Sequence, residues 1–158
     1  EAATFGIDPK RLIFAPKISV AEHLARYRHA DLFLDTFPCN AHTTASDALW
    51  GGCPVVTLSG DPFASRVAGS LLSALGLDEL ITTSIGDYAA TALRLARDPA
   101  QLDAIRSDLK ATRETSQVFD GEQFARRLEQ PHESLWQRHL SGNPPADFEP
   151  TPTAVGRG

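Results

Sequence analysis

The chain has neither of the glycine-rich fingerprints of nucleotide binding. No G-x-G-x-x-G follows an apolar run and no G-x-x-x-x-G-K-[ST] occurs, so dinucleotide and P-loop chemistry have no motif to rest on. No apolar run approaches the roughly 20 residues that cross a bilayer, and the first residues lack the basic and apolar regions of a signal peptide. The expectation is a cytoplasmic protein without a membrane span. Basic charge is not in excess either: the net charge is −5 and the Lys and Arg residues are scattered among acids. That gives no global attraction to polyanions and excludes nucleic acid as an expected partner. Cys39 and Cys53 form no C-x-x-C pair, and no two histidines have metal-ligand spacing. Neither a zinc site, nor any other metal, nor a disulfide framework is indicated. Fixed-period repeats and blocks of like charge are also missing.

What is present, in 158 residues that are 42% hydrophobic, is enough for one domain with a real core. The opening E-A-A-T-F-G reads as the last turn of a helix closing on Gly6. The chain thus reads as starting in mid-fold, a fragment of a larger polypeptide that supplies further strands. Short apolar runs at 12–14, 32–34, 55–57 and 80–82 alternate with helical patterns, the signature of a parallel α/β sheet. Ser19 with Glu22 forms a capping box for a helix with Val20, Leu24 and Tyr27 inward. Gly51 and Gly52 end the central helix, and Pro54 prevents its continuation. Pro62 is expected in the first position of a helix running to Leu75 and stopped by Gly76. Ser84 with Asp87, and Asp98 with Pro99, start two further helices, the second with Leu102, Ile105 and Leu109 inward. A last helix begins near Gly121, with Pro131 as a kink or restart. The division expected is residues 1–140 as a partial Rossmann-like lobe and 141–158 as an extended Pro/Gly-rich tail, with Phe148 as its single candidate anchor.

One stretch exceeds what a packed core requires: D-T-F-P-C-N-A-H-T-T-A-S-D, residues 35–47. It reads as the end of a strand, a turn-prone loop, and the start of a helix. In a parallel sheet such a loop faces the ligand crevice, and the helix beyond it offers unpaired N–H groups and partial positive charge, a setting that favours phosphate. Thr43 and Thr44 add hydroxyl donors, and Asp47, one turn on, suits a ribose diol. The same residues also serve as ordinary helix caps, and spacing alone leaves both readings open. His23 and Arg26, three apart, project from one helix face and suit a flat heteroaromatic base, or simply solvent. Ser59, Gly60 and Ser65 put small polar groups at the end of the next strand, where turn chemistry is the simpler reading.

R-L-I-F-A-P, L-D-T-F-P-C-N-A-H-T-T-A-S-D-A-L-W-G-G-C-P-V-V-T and A-S-R-V-A-G-S-L-L together resemble the O-linked N-acetylglucosamine transferases, nucleocytoplasmic GT-B glycosyltransferases linked to tetratricopeptide repeats, and their bacterial branch most closely. The resemblance runs from about Arg11 to Gln130. It implies the second half of a carboxyl-terminal Rossmann-like lobe that holds the UDP part of UDP-N-acetylglucosamine, with no further cofactor and UDP as product. It also implies inverting transfer to Ser or Thr of a protein acceptor. By resemblance, the backbone near Ile18 and the side chains of His23 and Arg26 belong to the uracil pocket. His42, Thr43 and Thr44 contact sugar and diphosphate, Asp47 holds the ribose, and Cys39 lies near the acetamido group, a position where a small buried thiol is the alternative. A family lysine of the uracil pocket corresponds to Val20, with Lys17 three residues earlier, and Ala41 stands where some members have Gly. The amino-terminal lobe, its diphosphate lysine and the repeats lie before Glu1, so no catalytic residue is assigned within this stretch and the rest of the same protein is its expected partner. Two alternatives stay open: a non-catalytic nucleotide-binding or scaffolding module, and a UDP-sugar GT-B transferase with another acceptor.

Overall fold

The computed structural model describes residues 1–147, so most of the expected tail, with Phe148, lies outside the described residues. Three short parallel strands form the sheet: β1 (Phe33–Leu34), β2 (Val55–Leu58) and β3 (Ile81–Thr82), in the order β1-β2-β3. Phe33 stands opposite Val55 and Thr57 opposite Ile81. Val55, Val56 and Thr57 are all buried, as a central strand covered on both faces requires. The expected Rossmann-like α/β class is therefore the observed one.

The described residues hold six α-helices: α1 (Val20–Arg26), α2 (Thr43–Trp50), α3 (Val67–Ala74), α4 (Ile85–Arg97), α5 (Pro99–Arg113) and α6 (Gly121–Leu140). α3 and α4 pack on β2, α5 packs on α4, and α2 lies among α1, α3 and α5. Leu49, Val55, Val56, Leu72, Leu80, Leu95 and Leu109 are completely buried. Each such side chain contributes about 1.5 to 3 kcal/mol relative to exposure. Local signals start and stop the elements as read from the sequence. Ser19 and Glu22 complete both halves of the capping box, and Ser84 and Asp98 cap α4 and α5. Gly6, Gly52 and Gly76 take φ of 70°, 80° and 72°, values that glycine adopts without a Cβ penalty. At the carboxyl end of α2, the Arg113 guanidinium donates to the Trp50 carbonyl (2.6 Å) and lies over the indole ring.

Five expectations are corrected. Residues 12–14 are not a strand: Leu12 has extended backbone, but no described residue pairs with this segment, and Ile13 and Phe14 are 88% and 90% exposed. Extended apolar chain becomes a strand only beside another one. Val20 does not face inward; it is exposed, while Leu24 and Tyr27 carry the packing of α1. Pro62 does not open a long helix, because its ψ of 151° places it before a 3-10 turn (Phe63–Ser65), and Arg66, at φ −121°, separates that turn from α3. Pro131 does not restart the helix, since α6 is continuous through it. The opening turn, Ala2–Phe5, is 3-10 rather than α.

Candidate functional site

β1 ends at a carboxylate that is 3% exposed. Asp35 Oδ1 accepts from the backbone N–H of Thr36 (2.8 Å) and of Ala41 (2.7 Å), and Oδ2 accepts from the Thr57 hydroxyl (2.6 Å). The Tyr88 hydroxyl donates to the Asp35 carbonyl (2.8 Å), and burial together with the Asp35 charge raises the Tyr88 phenol above its usual value. Asn40, 4% exposed, donates its amide to the carbonyls of Thr36 (3.0 Å) and Leu58 (3.3 Å), and its backbone N–H to Ala64 (2.8 Å). Its Oδ1 has no partner among the described residues. The side chain thus ties the exits of β1 and β2 together, and the backbone N–H adds a link to the 3-10 turn that precedes α3.

This braced turn delivers the chain to α2. His42 is the N-cap but makes no side-chain cap bond; its ring meets the Phe63 ring edge-on at 6.0 Å. Thr43 and Thr44 are exposed in the first turn, and Asp47 is half-buried. The alternative reading of these residues as caps is therefore not realised at His42. Ala41 needs no glycine's freedom, since no described non-glycine residue has positive φ. Cys39 is exposed, which removes its alternative as a small buried thiol, whereas Cys53 is buried.

α1 meets α2 through Tyr27. The His23 ring lies edge-on to Tyr27 at 5.2 Å, and the Tyr27 hydroxyl donates to the Thr44 carbonyl at 3.4 Å. Burial first, then the charge of Asp47, raises the Tyr27 phenol. His23, Thr44 and Asp47 are thereby gathered around one aromatic ring. Arg26 is directed elsewhere: it donates to the Pro16 carbonyl (3.0 Å) and holds the extended segment that carries half-buried Ile18. Lys17 in that segment is exposed. Ser65 donates to the Pro62 carbonyl (2.8 Å), and Gly60 N–H to the Ser65 carbonyl (3.0 Å), so these two act in a turn, the simpler of their two readings. Among the described residues no group of His, Cys, Asp or Glu is arranged to hold a metal ion, and no helix is long and apolar enough to cross a membrane.

Sequence reading missed Asp35 as more than a strand end, and assigned nothing to Asn40, Thr57 or Tyr88. The available signal was a polar residue next to or within an apolar strand, but its partners lie 22 and 53 residues away.

The model of glycosyl transferase family 41 matches residues 1–128. A probable UDP-N-acetylglucosamine–peptide N-acetylglucosaminyltransferase of Arabidopsis thaliana is 39% identical over 94% of the chain, and its Caenorhabditis elegans counterpart is 40% identical over 88%. The chain spans only 15% and 12% of those two relatives. A mutant O-GlcNAc transferase of Thermobaculum terrenum superposes with a TM-score of 0.80 at 33% identity, covering 89% of this chain and 27% of that one.

Proposed function

The chain belongs to glycosyl transferase family 41, and from that premise we propose that it is the donor-nucleotide part of the carboxyl-terminal lobe of a protein O-GlcNAc transferase. The observation that carries this reading is the start of α2: a helix N-terminus without a side-chain cap, at the carboxyl end of a parallel strand, flanked by exposed Thr43 and Thr44. Backbone N–H groups and hydroxyls there suit the diphosphate of UDP-N-acetylglucosamine, and His42 the adjoining sugar. Asp47, one turn along, suits the ribose diol. His23 and the backbone at Ile18 suit the uracil, with Arg26 acting through its bond to the Pro16 carbonyl and Cys39 toward the acetamido group.

The chemistry of this part is electrostatic. As the glycosidic bond to UDP breaks, negative charge grows on the departing diphosphate, and fixed N–H and O–H donors stabilise it without moving a proton. No metal or cofactor is invoked. Deprotonation of the acceptor Ser or Thr falls to the rest of the same polypeptide, an amino-terminal lobe with tetratricopeptide repeats, acting in the cytoplasm on protein acceptors with inversion at the anomeric carbon.

Calorimetric titration of UDP, with UMP and ADP as controls, into the full-length protein tests the reading. We expect UDP-selective binding that Asp47→Ala and Thr43→Ala each weaken by roughly 1 to 3 kcal/mol, the cost of losing a hydrogen bond to a charged or buried partner. Binding unchanged by both substitutions would refute the site.

A further inference from the structure

The turn between β1 and α2 is held from beneath by Asp35, Asn40 and Thr57, all buried, and by half-buried Tyr88. Asp35 Oδ1 binds the N–H at both ends of the turn, Thr36 and Ala41, so one oxygen closes it. Thr57, wholly buried on the neighbouring strand, fills Oδ2, and Tyr88 fills the Asp35 carbonyl. Asn40 fastens the same turn to the exits of both strands. A buried carboxylate is expensive to desolvate, and an apolar residue would end β1 with less penalty. What the carboxylate adds is direction: three donors aimed at two oxygens allow one arrangement of backbone, whereas apolar packing tolerates several.

We propose that Asp35 and Asn40 are positioning residues for nucleoside-diphosphate binding, a buried polar clamp that fixes the 36–42 turn and so the direction in which the first-turn N–H groups of α2 point. Ala41, bound to Asp35, immediately precedes the N-cap His42, so a shift of the clamp is passed directly to the helix start. The proposal rests on the UDP reading above. It adds that affinity depends on a hydroxyl in β2 and a phenol in α4, neither of which is assigned to the ligand.

The test uses Thr57→Val and Thr57→Ser in the full-length protein, with UDP affinity measured by calorimetry well below the melting temperature of each variant. Valine keeps the volume and removes the donor to Asp35; serine keeps the donor and removes a methyl group. The expected result is UDP binding about tenfold weaker for Thr57→Val, the effect of an unpaired charged acceptor that lets the turn move, and within about twofold of the unsubstituted protein for Thr57→Ser. Equal affinity for Thr57→Val and the unsubstituted protein would overturn the clamp, and so would a Thr57→Ser as weak as Thr57→Val, since affinity would then follow packing. Should Thr57→Val fail to fold, Tyr88→Phe decides: it loses only the phenol donor, and unchanged UDP binding there overturns the proposal. Failure of the unsubstituted protein to bind UDP would instead remove the donor-nucleotide reading, and the clamp with it.

Discussion

Cys53 is completely buried beside β2, and burial pushes its thiol from 9.0 up to about 11, against a smaller opposing effect of the Arg106 guanidinium. A group raised on folding stabilises the fold fully below its unfolded value and loses that contribution as pH rises through the folded one. The Cys53 contribution, roughly 2 to 3 kcal/mol, is therefore present below about pH 9 and declines toward about pH 11. The phenols of Tyr27 and Tyr88 are also raised, but from 10.0, so the interval between about pH 9 and 10 isolates the thiol. Urea unfolding across this range should show stability falling with pH, and Cys53→Ala should flatten that slope while lowering stability by about 1 kcal/mol at neutral pH. An unchanged slope would show that Cys53 is not the titrating group. At this scale the sequence made legible the residues whose role is local: His42, Thr43, Thr44 and Asp47 stand in one strand-loop-helix pattern. Asp35, Asn40 and Thr57 were not legible as a set, because their hydrogen bonds join segments that only the folded sheet brings together.

Helix boundaries followed from capping chemistry wherever the cap was a side chain close in sequence. Asp98 accepts from Gln101 N–H at 3.0 Å, and Pro99 opens α5 behind it; α5 then buries Leu102, Ile105 and Leu109 against the rest of the core. Asp98→Ala should lower stability by about 1 kcal/mol, the usual loss at an N-cap, read as a lower urea midpoint at unchanged slope; an unmoved midpoint would mean that the interior of α5 alone sets its stability. Elements governed by distant partners read less well. Residues 12–14 have strand composition but no strand partner among the described residues, and the split of the 62–75 helix at Arg66 follows from how the chain turns after β2, which no local motif encodes. Pro131 reads as a kink or restart; the restart does not occur, because a lost bond in the middle of a 20-residue helix is tolerated when the turns on either side remain intact.

Across the whole molecule, the main unresolved demand is apolar surface. Ile13 and Phe14 are almost fully exposed, and β1 is an edge strand of the described sheet. If the chain acts within a longer transferase, as proposed, this segment is a strand waiting for its sheet. Hydrogen exchange in the full-length protein should find the amides of residues 12–14 protected, and Ile13→Asp should lower its stability by roughly 2 to 4 kcal/mol by placing a charge in that interface. Rapid exchange at all three amides would count against it. The same scale gives a meaning to Arg113. A bare helix of eight residues, about 12 Å long, has two opposite poles whose fields largely cancel beyond its own length. α2 carries a guanidinium on its Trp50 carbonyl end and nothing from the His42 side chain at the other. The Asp47 carboxylate within the same helix offsets the guanidinium charge, so α2 and Arg113 together carry no net charge, and an approaching dianion feels the first-turn N–H groups only at close range, well inside the limit set by salt at about 8 Å.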